Sequence, residues 1–469
     1  MDFSDLMRLK GRRFVVAGLG ESGLAMTKWL LSEGASVRVA DNRAEPPGLA
    51  ALRDFAPDTE ISLGAFSAQT FRNADAIALS PGLAPNTPGV AASGLEIISE
   101  VDFFMSALED HCPESSVLAI TGSNGKTTTT ALTAHLLNGA GRRAVACGNI
   151  SPSLLDALMT AKKSGVLPEF WVTELSSFQL ESARYLPVTA ATVLNISADH
   201  LDRHANLFAY AQAKARIFRG GAAQILNRDD DWSLGMGGCE HFTTFGLTPP
   251  PREGHYGLEN EAIYLGRERL MALADVPLPG LHNAANLMAA LALCRAVDVP
   301  AESALPALAS FTGLPHRVET VAVVADVTYI DDSKGTNVGA TLAALEGLGA
   351  AKKQGKIALI LGGDGKGQNF TSLSGSLARH GRAAALIGKD ADKIAADIAG
   401  CGILTRRFDS LEDATRWLAS QSLPGDSVLL SPACASWDMF RDYAHRAEVF
   451  REVVRSLASP GEKTGRDRA

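Results

Sequence analysis

At 469 residues the chain exceeds what one hydrophobic core ordinarily serves; single domains run to roughly 100–200 residues, so about three are expected. Hydrophobic residues make up 46% and charged residues 20%, a composition that excludes wholesale disorder. A net charge of −8 leaves no global positive field for a polyanion, so no nucleic-acid partner is expected and any phosphate-bearing ligand must be held locally.

The first residues, Met1-Asp2-Phe3-Ser4-Asp5, are acidic where a signal peptide would be basic, and no apolar run is long enough to span a bilayer. A cytoplasmic chain without membrane insertion is expected. Six cysteines, Cys112, Cys147, Cys239, Cys294, Cys401 and Cys434, form no C-x-x-C pair, and they read as buried free thiols in a reducing compartment.

Phe14-Val15-Val16-Ala17 reads as a strand, followed by Gly18-x-Gly20-x-x-Gly23, a helical stretch to about Glu33 and a second strand, Val37 to Asp41. Ile77 to Ser80 is a further strand, ended by Pro81-Gly82. A parallel, doubly wound unit is the simplest account of the first ~100 residues. Val117 to Ile120, Phe170 to Thr173 and Ala191 to Leu194 are strands of a central domain, in which Thr248 to Arg252 is a loop and Ala284 to Val297 a helix. After Gly313-Leu314-Pro315 the α/β pattern restarts with strands at Val327 to Ile330, Ile357 to Leu361, Ala384 to Ile387 and Ser427 to Leu430. The expected class is therefore α/β with three domains: Rossmann-like over 1–103, P-loop ATPase-like with a mixed sheet over 104–314, and Rossmann-like over 315–458. Residues 459–469 are polar and breaker-rich, as in a frayed tail.

Thr121-Gly122-Ser123-Asn124-Gly125-Lys126-Thr127-Thr128 follows a strand and opens a helix. Phosphate binding needs this arrangement: glycines let backbone N–H groups approach the oxygens, the helix start adds a positive dipole end, Lys126 brings a mobile charge, and the Thr127 hydroxyl can ligate Mg²⁺. Ile120 stands where the common phosphate-loop pattern has its first glycine, so this is a shortened variant.

Gly18-x-Gly20-x-x-Gly23 with Asp41 at the end of the next strand suggests a nicotinamide dinucleotide first, with glycines that serve only tight packing, or a different diphosphate, kept open. Glu174, just past a strand, reads as a candidate Mg²⁺ ligand or as an exposed strand-end carboxylate, and His200, after another strand, reads on its own as a surface-loop histidine that could also face the same crevice. Lys214, in a helical stretch, reads on its own as a solvated lysine.

Further ordered runs accompany the loop: Glu174 to Leu180, Asn195 to Arg203, Gly280 to Asn286, Gly313 to Arg317, Asp332 to Asn337, Gly362 to Lys366 and Ser431 to Ser436. Together they resemble the Mur ligases of peptidoglycan synthesis over nearly the whole chain. Within that family the Glu-Leu-Ser-Ser-Phe-Gln-Leu, Asp-Ser-Lys and Ser-Pro-Ala-Cys-Ala-Ser runs look like the D-glutamate-adding branch.

The resemblance implies ATP and Mg²⁺ as cofactors, and UDP-N-acetylmuramoyl-L-alanine and D-glutamate as small-molecule substrates of a monomer. It implies ATP contacts from Gly122, Ser123, Asn124, Gly125, Lys126, Thr127, Thr128, Asn283, Asn286, Arg317 and Asp332. Thr127, Glu174, His200 and a carbamylated Lys214 would hold Mg²⁺, which displaces the solvated reading of Lys214, because a bare ammonium repels the cation. Lys126, Glu174, His200 and Lys214 would form the catalytic group. Ser22, Asn42, Arg43, Gly82, Asn149 and His200 would hold the UDP substrate, and Lys334, Thr336, Lys366, Ser436 and Tyr443 the D-glutamate. The nicotinamide reading recedes accordingly.

The implied reaction forms an acyl phosphate that the D-glutamate amine attacks. Ser151 stands where the family usually has glycine, Gly335 where alanine is common and Ala447 where glycine is usual. A folylpolyglutamate synthetase shares the central and C-terminal plan without this N-terminal unit, and a dinucleotide-binding dehydrogenase or regulator is the other alternative.

Overall fold

The computed structural model describes residues 7–238, 242–278, 280–351 and 355–458. Cys239 and the 459–469 tail lie outside the described residues. The chain divides into two compact units: 1–196 with 211–271 and 286–310, and 197–210 with 272–285 and 311 to the C-terminus.

The first unit contains two large parallel sheets. One has five strands in the spatial order Glu60–Leu63, Ser36–Asp41, Arg13–Ala17, Ala76–Leu79, Glu96–Ser99. Chain order reverses between Arg13–Ala17 and Ala76–Leu79, and such a switch point leaves a crevice beyond the strands' carboxyl ends. Gly18 to Gly23 fills one side of it. A Cβ on Gly23 would lie 1.8 Å from the Gly18 carbonyl oxygen, so this glycine is fixed by the tight strand-to-helix turn.

The other sheet has six strands in the order Phe242–Phe245, Ala223–Asn227, Ala190–Val193, Ser116–Thr121, Phe170–Glu174, Ala144–Gly148, all parallel. The expected mixing of strand directions is realised as two sheets: the antiparallel pair Tyr256–Glu259 and Ala262–Leu265 belongs to a separate three-stranded sheet completed by Glu268–Ala272.

A single helix, Glu100–His111, joins the two parallel sheets. Its start carries a capping box, in which the Ser99 hydroxyl accepts from the Asp102 N–H and Asp102 accepts from the Ser99 N–H. The second Asp102 oxygen accepts from the N–H groups of Arg184 and Tyr185, next to the six-stranded sheet. Successive buried rings on this helix face opposite ways: Phe103 meets Phe14 edge-on at 5.9 Å, and Phe104 meets Trp171 at 5.4 Å. Lys28, on helix Glu21–Ser32, adds an ion pair to Asp156 on helix Leu154–Ser164 at 3.3 Å.

The second unit is built on a six-stranded sheet in the order Glu319–Val324, Val327–Asp331, Ser427–Leu430, Ile357–Gly362, Gly381–Ile387, Leu404–Arg407. Only the first pair is antiparallel. Strand Ile357–Gly362 is buried on both faces, which is why it reads as a continuous apolar run. Ile357, Leu359 and Leu361 pack with Phe370 and Leu373, whereas Ala358 and Ile360 pack with Val428 and Phe450. The five described cysteines are free and buried. Among the described residues no helix is long and apolar enough to cross a membrane.

Candidate active site

Strand Ser116–Thr121 lies between Phe170–Glu174 and Ala190–Val193, and its carboxyl end runs through Gly122 to Gly125 into helix Lys126–Gly139. Gly125, at φ +82°, caps that helix, and a Cβ there would sit 2.4 Å from the Asn286 Oδ1. The loop glycine and the expected nucleotide residue Asn286 are therefore in close approach. Lys126 Nζ donates to the Gly122 and Ser123 carbonyls at 2.7 and 2.9 Å, which holds the ammonium over the loop, and Thr127 and Thr128 are buried in the first helical turn.

Asn195, beyond the neighbouring strand, clasps the loop. Its carbonyl accepts from the Ser123 N–H, its Oδ1 accepts from the Asn124 N–H at 2.9 Å, and its Nδ2 donates to the Asn124 carbonyl at 3.1 Å. Sequence reasoning gave Asn195 no role, although the strand-end Asn-Ile-Ser run was the available signal.

Glu174 ends the strand on the other side of the loop. It is 1% exposed, and its Oε1 accepts from Asn149 Nδ2 at 2.7 Å. Its Oε2 is buried with no hydrogen-bond partner. Lys214 is also 1% exposed, contrary to the solvated reading, and its Nζ donates to the Thr121 Oγ1 at 3.2 Å. A buried carboxylate oxygen lacking a donor is costly unless a cation meets it. Glu174 thus fits a divalent-cation ligand.

Ser22, Asn42, Arg43 and Gly82 follow the carboxyl ends of adjacent strands in the five-stranded sheet. The Asp41 carboxylate is already engaged: Oδ2 accepts from the Leu19 N–H at 2.7 Å, and Arg43 donates to both oxygens. Burial alone would raise its pKa, but these donors hold it below the ordinary carboxylate range. An acid so occupied is not the free ribose acceptor that a nicotinamide site requires. Ser151 differs from the family's usual glycine, and its hydroxyl donates to Glu21 at 2.8 Å, linking the Asn149 loop to the start of helix Glu21–Ser32.

Glu100 lies beneath this region, with Oε1 accepting from the Leu155 N–H at 3.2 Å and the Ser22 and Ser153 hydroxyls beside it. Burial pushes its pKa up to about 7. A carboxyl raised in the folded state binds more protons than the unfolded chain between pH 4.5 and about 7, so stability falls as pH rises through that window. Glu100→Gln is expected to gain little at pH 4.5 and most at pH 8, on the order of 3 kcal/mol at most. Chemical denaturation at the two pH values measures this, and equal gains at both would refute it.

In the second unit, Asp199 collects several groups. Oδ1 accepts from Lys366 Nζ at 3.1 Å, Oδ2 from Asn337 Nδ2 at 3.2 Å, and His200 Nε2 lies 3.6 Å from Oδ2. His200 and Lys366 are thereby brought together around a residue that sequence reasoning left without a role. Lys334, Lys366 and Ser436 follow the carboxyl ends of three adjacent strands. Lys334 Nζ lies 5.3 Å from the Tyr443 ring centre. Thr336 N–H donates to the Lys334 carbonyl, and Ser436 is buried.

Arg446, fully buried, ties these loops together through the Ser333 hydroxyl and carbonyl, at 3.0 and 2.8 Å, and the Cys434 carbonyl at 3.1 Å. Asp332 is buried, accepting from the Ser431 hydroxyl at 2.6 Å and from the Val318 N–H, and burial raises its pKa to about 6. In place of the family's common alanine, Gly335 leaves room for it, since a Cβ would lie 2.6 Å from the Asp332 Oδ2. His282, beside Asn283, is kept neutral by burial and by the charge of Arg317, with a pKa near 4.

Among the described residues, His316, Glu319 and Asp331 bring possible metal-ligand atoms within 4.8 Å of one another. Arg451 already supplies the positive charge there, 3.0 Å from the Asp331 Oδ2 and paired with Glu319. This is an ion-pair cluster, and it braces the segment next to Arg317 and Asp332.

The fold and the loop define an α/β protein that joins a P-loop sheet to Rossmann-type sheets. The chain belongs to the Mur ligase family: the Mur ligase MurD-like N-terminal domain matches residues 12–99, the Mur ligase middle domain 120–294, and the Mur ligase glutamate ligase domain 316–434. It is 56% identical over 455 residues to a UDP-N-acetylmuramoylalanine--D-glutamate ligase of Dechloromonas aromatica, covering 97% of this chain and all of that protein. It is 47% identical to the ligase of the same name from Thiobacillus denitrificans, covering 97% and 98%. In fold it is similar to the UDP-N-acetylmuramate-alanine ligase MurC of Thermotoga maritima, with a TM-score of 0.63 at 20% identity, covering 95% and 99%. It is also similar to the MurF ligase of that organism in complex with ADP, with a TM-score of 0.59 at 18% identity, covering 98% and 99%.

Proposed function

We propose that the chain is the ATP-dependent ligase that adds D-glutamate to UDP-N-acetylmuramoyl-L-alanine, releasing ADP and phosphate in peptidoglycan precursor synthesis. The observation that carries this reading is the bond from Asn149, on the UDP-sugar side, to Glu174, whose other oxygen is buried without a partner beside the phosphate loop. One carboxylate thus serves both the substrate loop and a cation site.

A free carboxylate is a poor electrophile, and phosphorylation of the L-alanyl carboxylate makes it one. Gly122 to Thr128 hold the phosphates, Lys126 neutralises charge developing on the transferred group, and Asn283, Asn286, Arg317 and Asp332 hold the rest of the nucleotide. Mg²⁺, when bound, supplies charge neutralisation and orients the phosphoryl oxygens. Thr127, Glu174, His200 and Lys214 are its proposed ligands, and Lys214 serves as a carbamate because an ammonium would repel the ion. Ser22, Asn42, Arg43, Gly82, Asn149 and His200 hold the UDP substrate. Lys334, Thr336, Lys366, Ser436 and Tyr443 hold the two carboxylates of D-glutamate, whose amine attacks the acyl phosphate to give a tetrahedral intermediate that expels phosphate.

The enzyme is proposed to act as a cytoplasmic monomer with domains 1–103, 104–314 and 315–458. The test is phosphate release from ATP with each substrate omitted in turn, using both glutamate enantiomers. Release is expected only with the UDP-muramoyl substrate and D-glutamate present; release indifferent to that substrate, or faster with L-glutamate, overturns the assignment.

A further inference from the structure

Resting on the reading of Gly122 to Thr128 as an ATP site, we propose that Asn195 is the positioning residue of that loop. From the end of the neighbouring strand it supplies the brace that a shortened phosphate loop cannot provide for itself.

Only Ser123 and Asn124 separate Gly122 from Gly125, the residue that caps helix Lys126–Gly139. Both glycines are laid against the chain just beyond strand Ala190–Val193. A Cβ on Gly122, at φ +151°, would lie 3.0 Å from the Leu194 Cβ and 3.3 Å from the Asn195 backbone nitrogen, and one on Gly125 would lie 3.3 Å from the Leu194 Cδ1. Backbone bonds follow the same line: Leu194 N–H donates to the Thr121 carbonyl at 2.9 Å, and Ser123 N–H to the Asn195 carbonyl at 2.8 Å.

At Asn124 the side chain takes over from this ladder. A primary amide carries both an acceptor and a donor, and Asn195 spends Oδ1 on the Asn124 N–H at 2.9 Å and Nδ2 on the Asn124 carbonyl at 3.1 Å. Turning either peptide of Asn124 would break one of the two bonds, so the chain enters the helix in one orientation. Lys126 Nζ rests on the Gly122 and Ser123 carbonyls, and the place of the ammonium depends on the same brace. Donors aimed at a phosphoryl group help the reaction most when they are fixed beforehand.

Asn195 is itself held from behind. Asn227 Nδ2 donates to the Leu194 carbonyl at 2.8 Å, the Ser233 hydroxyl to the Val193 carbonyl at 2.5 Å, and Ile196 N–H to the Asp230 Oδ2 at 3.0 Å. Asp230 is fixed in turn, its Oδ1 accepting from the Ser233 N–H at 2.7 Å. The residues on both sides of Asn195 are thereby pinned by segment 227–233, and its amide projects from a rigid mount.

Asn195→Asp keeps the shape and the acceptor for the Asn124 N–H but turns a second acceptor on the Asn124 carbonyl. Asn195→Ser is uncharged and too short to bridge both groups, and it carries the test should the aspartate variant not fold. ADP with Mg²⁺, titrated calorimetrically into each enzyme, is expected to bind both variants at least tenfold more weakly than wild type. The KM for ATP should rise by a similar factor while that for D-glutamate stays within twofold. A purely structural role gives the opposite split, a lower melting temperature with ADP binding within twofold of wild type, and that result overturns the proposal. Equal rises in the two KM values overturn it as well. Wild type that binds no ADP removes the ATP reading and Asn195 with it, whereas wild type that binds ADP no better than its variants removes Asn195 alone.

Discussion

Glu174→Gln is expected to lower kcat by about 10²–10³-fold while leaving thermal stability equal or slightly raised. The amide oxygen of glutamine can still accept from Asn149 Nδ2, so the contact between the strand end and the Asn149 loop survives. What changes is Oε2, buried and without a partner, which becomes an N–H₂ donor aimed where a cation is proposed. Removing a buried negative charge also removes its burial cost, so the fold has no reason to weaken. The expected pattern is a large kcat loss, little change in KM for the UDP substrate and an unchanged or higher Tm. Steady-state phosphate release and a melting curve read it, and a variant within threefold of wild-type kcat would remove Glu174 from the catalytic group.

Arg446→Met should have the largest effect on folding. The guanidinium is fully buried and is met by carbonyl and hydroxyl oxygens, and burial lowers its pKa to about 10. Methionine replaces much of the volume but leaves the Ser333 and Cys434 carbonyls without these donors inside the protein. Hydrogen bonds to charged groups and the acceptors they would abandon are together worth on the order of 3 kcal/mol. Ser333 precedes Lys334, and Cys434 lies two residues before Ser436, so the KM for D-glutamate should rise about tenfold while that for ATP moves much less. If both KM values rise in step with the loss of stability, Arg446 only supports the fold. Arg446→Lys should recover part of the stability but not the D-glutamate KM, because one ammonium cannot reproduce the planar fork.

The sequence made the strands legible where burial on both faces leaves an uninterrupted apolar run, as at Val117 to Ile120 and Ile357 to Leu361. Strand Glu319–Val324 was missed because it is half-exposed and reaches its partner through a turn at Ala325-Asp326, both at positive φ, without the Asn-Gly signal such turns usually carry. The phosphate loop could be read from local sequence because its glycines, lysine and threonine act within eight residues. Asn195, Asp199 and Arg446 could not, since each acts on residues distant in the chain. Asn195 reaches 71 positions back to Asn124, and Lys366 meets Asp199 across 167. Lys214 shows the same limit: its helical stretch looks ordinary, and only its burial against Thr121 distinguishes it.

Helix Glu100–His111, which places Phe103 against one sheet and Phe104 against the other, also bears on how the protein can be taken apart. The proposed boundary at 103/104 falls between these two rings, inside the helix rather than in a linker. A fragment ending there would keep the Phe14–Phe103 contact but hold it on a helix cut off within its first turn, at Glu100 to Phe103. Anyone wishing to express the N-terminal part separately would have to carry the whole helix with it and redesign the face bearing Phe104.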